Sequence, residues 1–518
     1  MLKKTYIKDR FFYYLVIMTD VKEACGVFGA YDFKHYHAFS YIYWGLISQN
    51  HRGHQSHGLL TFDGQFHNHK ALGLVPRMRG RKMKKWLSRL PGFAGIGNVR
   101  YMTSGHMDRA SIYADIQPTV ADMGKTGIAI SFNGNLVNVT QLRDDLQNRV
   151  RLEATSDTEL LCKKLCLELE EGKNLSQAVE TLMQSVEGAY SITGITKYGE
   201  LFAFRDPLGI KPLCIGYSEN KEVVAISSES VGLDISDLNH FFDSIKPGEL
   251  IRINDNGVKR EQLIQKDRRA LCSFEFTYFA RPDSILDGVK KYVYEVRNDF
   301  GRNLGKICKQ NGDTSKIDVV MPVPETAIDA GYGFHEETGI PLDLAIRRHR
   351  YVTDRAFITM PGERNRILDK KINILGDKVS ERRIALIDDS IVRGDTTKSV
   401  IQRMRDAGAK SIHLYITFPK IISPCFYGID MATFVELIGT NHTPEEISAI
   451  IGADTVTYQS LEDLIHTIGL NRNELCTACL TGIYPTPIAQ KIADDKKTQV
   501  EQGVKEDTRI YEQTEKIE

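Results

Sequence analysis

Two adjacent carboxylates, Asp388 and Asp389, follow the apolar run Ile384 to Ile387, and Ser390, Arg393, Gly394, Thr396 and Thr397 come directly after them. Such carboxylates accept hydrogen bonds from vicinal hydroxyls or hold Mg²⁺. The neighbouring hydroxyls can donate to phosphate oxygens, and Gly394 lets the backbone approach an anion. A ligand with a phosphate at one end and a ribose diol beside it fits both halves. Near the other end of the chain stands Cys25. A thiol becomes a nucleophile when a base sits beside it. If the residues before Cys25 are removed, the new α-amino group is that base, with a reference pKa of about 7.7–8.0. Without such a base, a lone Cys reads as a small core residue. A third set is Cys476-Thr-Ala-Cys479 with Cys425 and Cys272. Four thiolates suit either zinc or a [4Fe–4S] cluster.

These groups need elements to hold them. Ile384 to Ile387 reads as a buried parallel strand. Thr396 and Thr397 open a helical pattern with Val400, Ile401 and Met404 on one face, and Gly408 is placed to stop it. A loop entering a helix N-terminus directs free N–H groups and the dipole at one spot, which suits phosphate. The plainer reading is a strand, a turn with capping Asp and Thr, and a helix.

The chain has 518 residues, enough for two or three domains. Its 67 basic and 67 acidic residues cancel, which argues against bulk binding to nucleic acid or to an anionic membrane. No apolar run reaches the length of a membrane span. Lys3 to Arg10 and the apolar stretch Phe11 to Met18 look like a short signal peptide, but charges occupy the cleavage region, and Met18 is an alternative start. Nine Cys are an odd count in a long chain, which implies a reduced, cytoplasmic protein. Cys162, Cys166, Cys214 and Cys308 read as core. His51, His54 and His57 are spaced by three, but no local carboxylate or Cys completes a metal set.

The string from Ala385 to Thr397 resembles the phosphoribosyl diphosphate (PRPP) signature of phosphoribosyltransferases, and its Asp-Ser-Ile-Val-Arg-Gly form resembles the glutamine PRPP amidotransferase family. Cys25-Gly-Val-Phe-Gly, His51-Arg-Gly53, Arg100-Tyr-Met-Thr-Ser-Gly105, Phe132-Asn-Gly-Asn-Leu-Val-Asn138 and Ser156-Asp-Thr-Glu159 come in the order of that family's glutaminase domain. Cys272 to Ser284, Pro322-Val-Pro-Glu-Thr-Ala327 and Arg347-Arg-His-Arg-Tyr351 resemble its second domain. Asp395 stands where the family usually has Thr, and Gln55 where it has an acid.

The resemblance implies an α+β N-terminal-nucleophile glutaminase domain, an αββα sandwich, over residues 25–262. An α/β type I phosphoribosyltransferase domain follows over 263–487. Residues 1–24 are then a propeptide or a misassigned extension, and 488–518 a charged tail that is a solvated helix or disordered. Cys25 would form a thioester with glutamine. Arg100 would fork onto the α-carboxylate, Asp157 would pair with the ammonium, Arg52 would belong to the same pocket, and Asn133 and Gly134 would bind the oxyanion. Asp388 and Asp389 would hold the ribose hydroxyls or Mg²⁺. Ser390, Arg393, Gly394, Thr396 and Thr397 would bind the 5′-phosphate, and Arg348 would meet the diphosphate. Residues 357–371 would close over the substrate. The four Cys would hold a [4Fe–4S] cluster. Partners implied are glutamine, PRPP, purine nucleotides as feedback effectors and three further copies in a homotetramer. Glucosamine-6-phosphate synthases share the first domain but lack a PRPP motif. A non-catalytic, oxygen-sensing PRPP-binding regulator is the alternative of another class, and the complete nucleophile set argues against it.

Overall fold

In the computed structural model, the described residues are 25–101, 109–154, 156–349, 372–429, 431, 433–504 and 506. The proposed propeptide, residues 102–105 of the Arg100 motif and the proposed closing segment 357–371 lie outside them.

The first half is built on two antiparallel sheets, seven- and six-stranded among the described residues. β1 (Gly26–Asp32) runs between β4 (Ala94–Arg100) and the strand Val223–Ser227, and β2 (Ser56–Phe62) and β3 (Phe66–Leu72) continue beyond β4 to an edge. The second sheet is centred on β5 (Gly127–Leu136) and β6 (Gly188–Thr196). Side chains alternate across a strand, and the alternation explains the layers. Val27 and Tyr31 of β1 join Ala94 and Ile96 of β4 and Ala129 of β5 in the core between the sheets. Phe28 and Ala30 point the other way, onto α1 (Phe39–Ser48). Ile128, Ile130 and Phe132 of β5 face outward onto α3 (Asp157–Glu170). The result is helix, sheet, sheet, helix.

The polar stretch 254–269, which reads as a linker in sequence, is in part structured. Gly257–Gln262 pairs with Glu249–Asn254 as the outermost strand of the six-stranded sheet. Its charged look has a simple cause. An edge strand turns residues such as Lys259 and Arg260 to solvent.

The second half holds a four-stranded parallel sheet in the order β7 (Val319–Pro322), β8 (Arg383–Asp388), β9 (Ser411–Ile416), β10 (Thr455–Tyr458). Both faces are covered: Ile384 and Leu386 pack on one side, Ala385 and Ile387 on the other. That is why the run shows no alternation. α4 (Asp395–Asp406) follows β8. At the C-terminal end, α5 (Pro487–Glu501) buries Ala489 and Ala493, so this part of the tail is a docked helix with one solvated side.

Candidate functional site

Parity also builds the first site. β4 turns its even residues into the gap between the sheets, so Asn98 and Arg100 continue the line of Ala94 and Ile96. β5 turns its odd residues there, so Ser131 and Asn133 continue the line of Ala129. The inner face is therefore apolar in its middle and polar at one end. Cys25, on the same side of the chain as Val27, stands at that end with φ of 58° and is 4% exposed. Its Sγ lies 3.9 Å from the Tyr101 carbonyl. Asn98 Nδ2 donates to the Phe132 carbonyl at 3.3 Å and ties the two sheets together beside Asn133.

Asn133 is fully buried, and among the described residues neither its Nδ2 nor its Oδ1 has a hydrogen-bond partner. A buried amide left this way costs about 1–3 kcal/mol, so a ligand is the natural occupant of its bonds. Gly134 has φ of 151°, and a Cβ there would lie 1.9 Å from the Ala189 carbonyl oxygen, so only glycine fits. Asp157 begins α3 and is 2% exposed, and its Oδ2 accepts from the Leu136 N–H at 2.9 Å. Burial pushes its carboxyl up to about 6, against the lowering effect of that N–H and of the Arg100 and Arg143 charges. Arg100 itself is 5% exposed.

Arg52 sits differently from a substrate ligand. It is fully enclosed, with Nη2 donating to Glu275 Oε1 at 2.7 Å and Nη1 paired with Glu229. Its Nε donates to the carbonyl of Cys25 at 3.4 Å. Burial alone would raise the Glu229 carboxyl, yet His51 and Arg52 hold it well below the usual carboxylate range. Glu229 also accepts from Ser284 Oγ at 2.7 Å and the Arg281 N–H at 2.9 Å. Glu275, Arg281 and Ser284 belong to the second half, and Glu275 opens a π-helical turn, Glu275–Phe279, a feature frequent at functional sites. The nucleophile's backbone is thus wired to the other domain. Sequence reading missed Glu229 and Glu275. A charged residue inside an otherwise apolar or small-residue stretch was the signal. His51 and His57 are turned to separate partners, Glu229 and the Gly73 carbonyl, and His54 is exposed.

The second site lies at the carboxyl ends of β7 and β8. Asp388 Oδ1 accepts from the Asp389 N–H at 2.9 Å. Asp389 accepts from Ser390 Oγ at 2.6 Å and from Thr326 Oγ1, which comes from the Pro322–Ala327 loop. Both carboxylates are nearly buried. Gly394, with φ of 89°, caps α4, and Val392 to Thr396 are half-exposed or exposed. Thr397 is buried in the first turn. Arg393 Nη2 donates to Glu436 Oε2 at 3.3 Å. Asp395 is exposed in the first turn of α4, where the helix dipole favours an acid, and among the described residues it forms no ion pair with Lys398. Arg348 is exposed at the end of the short strand Ile346–Arg348.

The four Cys converge. Leu271–Cys272 pairs in parallel with Leu475–Cys476, placing Cys272 opposite Cys476. The Cys425 Sγ accepts from the Tyr427 N–H at 3.3 Å, and the Cys479 carbonyl accepts from Ile422 and Ser423. All four thiols are buried, and burial raises each, Cys476 up to about 12. Each of Cys272, Cys476 and Cys479 also feels the charge of other members of the set. Among the described residues no three His, Cys, Asp or Glu side chains stand in metal-holding positions. Asn135 Nδ2, on β5, donates to the Phe426 carbonyl at 3.1 Å, so this cluster abuts the glutaminase strand.

Residues 107–234 match the model of the glutamine amidotransferase domain family. The amidophosphoribosyltransferase of Methanocaldococcus jannaschii is 39% identical over 481 residues, 90% of this chain and 98% of that protein. That of Bacillus subtilis is 37% identical over 479 residues, 91% and 96%. The solved structure of the B. subtilis glutamine PRPP amidotransferase, complexed with ADP and GMP, superimposes with a TM-score of 0.79 at 34% identity, covering 94% of this chain and 99% of that one.

Proposed function

This chain belongs to the amidophosphoribosyltransferase family, and from that premise we propose how its residues divide the work. It is a glutamine amidotransferase and glycosyltransferase of purine biosynthesis. Glutamine, water and PRPP become glutamate, 5-phosphoribosylamine and diphosphate. The observation that carries the residue assignment is the buried Asn133 amide, without a partner among the described residues, on the inner face that strand parity shares with Cys25 and Arg100.

The Cys25 thiol attacks the glutamine amide and forms a thioester. The α-amino group freed by cleavage before Cys25 takes the thiol proton and hands it to departing ammonia. Asn133 Nδ2 donates to the oxyanion, with Gly134 completing that wall. Arg100 forks onto the α-carboxylate and Asp157 pairs with the ammonium. We assign Arg52 to positioning rather than substrate contact, because its guanidinium is engaged by Glu229 and Glu275. Water cleaves the thioester, which releases glutamate and restores the Cys25 thiol, while ammonia attacks the ribosyl carbon of PRPP and diphosphate leaves. Asp388 and Asp389 hold the ribose hydroxyls, and the Ser390–Thr397 turn the 5′-phosphate. Arg348 meets the diphosphate.

Two groups suit these donors by chemical type, although among the described residues no three such side chains stand in metal-holding positions. The Asp388–Asp389 pair is all oxygen, as Mg²⁺ prefers, and bound Mg²⁺ would neutralise diphosphate charge. Four buried thiols from three segments match a [4Fe–4S] cluster, which would cross-link those segments. The ADP and GMP bound to the B. subtilis enzyme support feedback by purine nucleotides here, and a homotetramer is the assembly that the family resemblance implies. No helix among the described residues is long and apolar enough to cross a membrane, in keeping with a cytoplasmic enzyme. The deciding experiment is diphosphate release from PRPP by protein purified without oxygen. Release that depends on glutamine or ammonia supports the reading, and release with neither nucleophile, or no release at all, refutes it.

A further inference from the structure

The chain is neutral overall, yet one face is not. From Gln65 to Met107 there is no Asp or Glu. Within that stretch Arg77, Arg79, Arg81, Lys82, Lys84, Lys85 and Arg89 are all exposed. None of the seven forms an ion pair among the described residues. Five of them lie on α2 (Arg81–Arg89). The helix α1, against which Trp86 packs through Phe39, carries no charged residue. β3, on the other side, adds His69 and Lys70 at the edge of the sheet, while its His67 is held by Asp63.

This arrangement opposes the helix it is built on. Arg81 and Lys82 occupy the first turn, where the dipole favours acids, and no side chain caps it. Arg81–Lys84, Arg81–Lys85, Lys82–Lys85 and Lys85–Arg89 are like-charge neighbours, each unfavourable by tenths of a kcal/mol. A sequence that breaks local rules this consistently, with no acid to offset it, marks a functional face. Beside it opens a pocket of about 300 Å³ lined by Asn68, His69, Trp86, Arg89 and Leu90. The His69 and Trp86 rings are in contact, with centroids 4.0 Å apart.

We propose that α2 and the β3 edge form a binding face for single-stranded nucleic acid, with phosphates on the cations and an unstacked base in the Trp86 pocket. Cations interleaved with an aromatic platform are the chemistry of such binding. A membrane is disfavoured because Met83, Trp86, Leu87 and Leu90 are already packed on the domain core and cannot insert. Duplex is disfavoured because its bases cannot enter the pocket. A net charge of zero does not describe this face, because it averages over the whole surface.

The test is fluorescence anisotropy of a labelled twelve-nucleotide single strand with the full chain in 50 mM KCl. Saturable binding is expected, weakening about 50-fold by 200 mM if four phosphates are neutralised. The Arg81→Glu, Lys84→Glu, Lys85→Glu triple variant should lose at least about 30-fold in affinity while keeping its melting temperature and amidotransferase rate. Trp86→Leu, which leaves the charge intact, should lose about tenfold. Absence of binding by the unmodified chain overturns the proposal, as does affinity unchanged in the triple variant. Equal competition by poly-glutamate or by phosphatidylserine vesicles at matched charge also overturns it, in favour of an acidic protein or a membrane.

Discussion

At Cys25 the side chains that matter lie between two packed sheets, whereas at Asp388 and Asp389 they lie where parallel strands end and a turn opens to solvent. The first site holds a buried amide, Asn133, with both polar atoms unused. The second holds a carboxylate, Asp389, that already accepts from Thr326 and Ser390. One site is prepared by leaving bonds open and the other by filling them provisionally. The difference follows from access. Water can solvate an open turn, so its carboxylates need neighbours that a ribose diol can replace. A gap between sheets excludes water, so its donors can wait for an oxyanion without competition. The two are joined by Arg52, Glu229 and Glu275, which link the carbonyl of Cys25 to the second domain.

The comparison breaks most sharply at the nucleophile. Cys25→Ala is expected to lower glutamine-dependent phosphoribosylamine formation by more than about a thousandfold while ammonia-dependent formation persists. Equal loss of both rates would show that the sites are not separable. Asp389→Asn should lower both rates by about a hundredfold or more, some 2.7 kcal/mol, through the ribose contact. A change in the glutamine rate alone would place Asp389 outside the shared step. Asn133→Ala should lower glutamine kcat by about a hundredfold with little change in KM and none in the ammonia rate. An effect on KM alone would make Asn133 a ground-state contact.

The smallest effect is graded by pH. The Asp157 carboxyl, raised to about 6 by burial, must be charged to hold the substrate ammonium. Glutamine KM is therefore expected to be flat above pH 6 and to rise about tenfold per unit below it. Asp157→Asn should abolish that dependence. The stability sign is opposite. A raised folded-state pKa means the folded chain binds the proton more readily, so Asp157 disfavours folding above pH 6 and this penalty fades as pH falls toward 4. Chemical denaturation at pH 7 and pH 5 in the Asp157→Asn background, compared with the unmodified chain, separates the two effects.

The sequence was most legible where chemistry is local. The strand, turn and helix around Asp388 run almost as their pattern predicts, as Arg383–Asp388 and Asp395–Asp406. The five motifs of the first domain carried its fold because each is a short element with a fixed partner. The pairing of Arg52 with Glu229 and Glu275 was not legible, because a motif names a residue without saying what it faces. Glu229 and Glu275 lie in stretches that resemble the family, but nothing in the sequence links them to Arg52. They lie 177 and 223 residues from Arg52 along the chain, beyond any spacing rule.

By itself, then, the sequence determined the family, the two sheets' alternation and the strand, turn and helix around Asp388. Each follows from contacts within a few residues. Only the tertiary structure decided which polar atoms are left open, which cations are buried against carboxylates and which crowd one exposed face. These depend on what distant strands bring within 3 Å, and on how much water that packing removes.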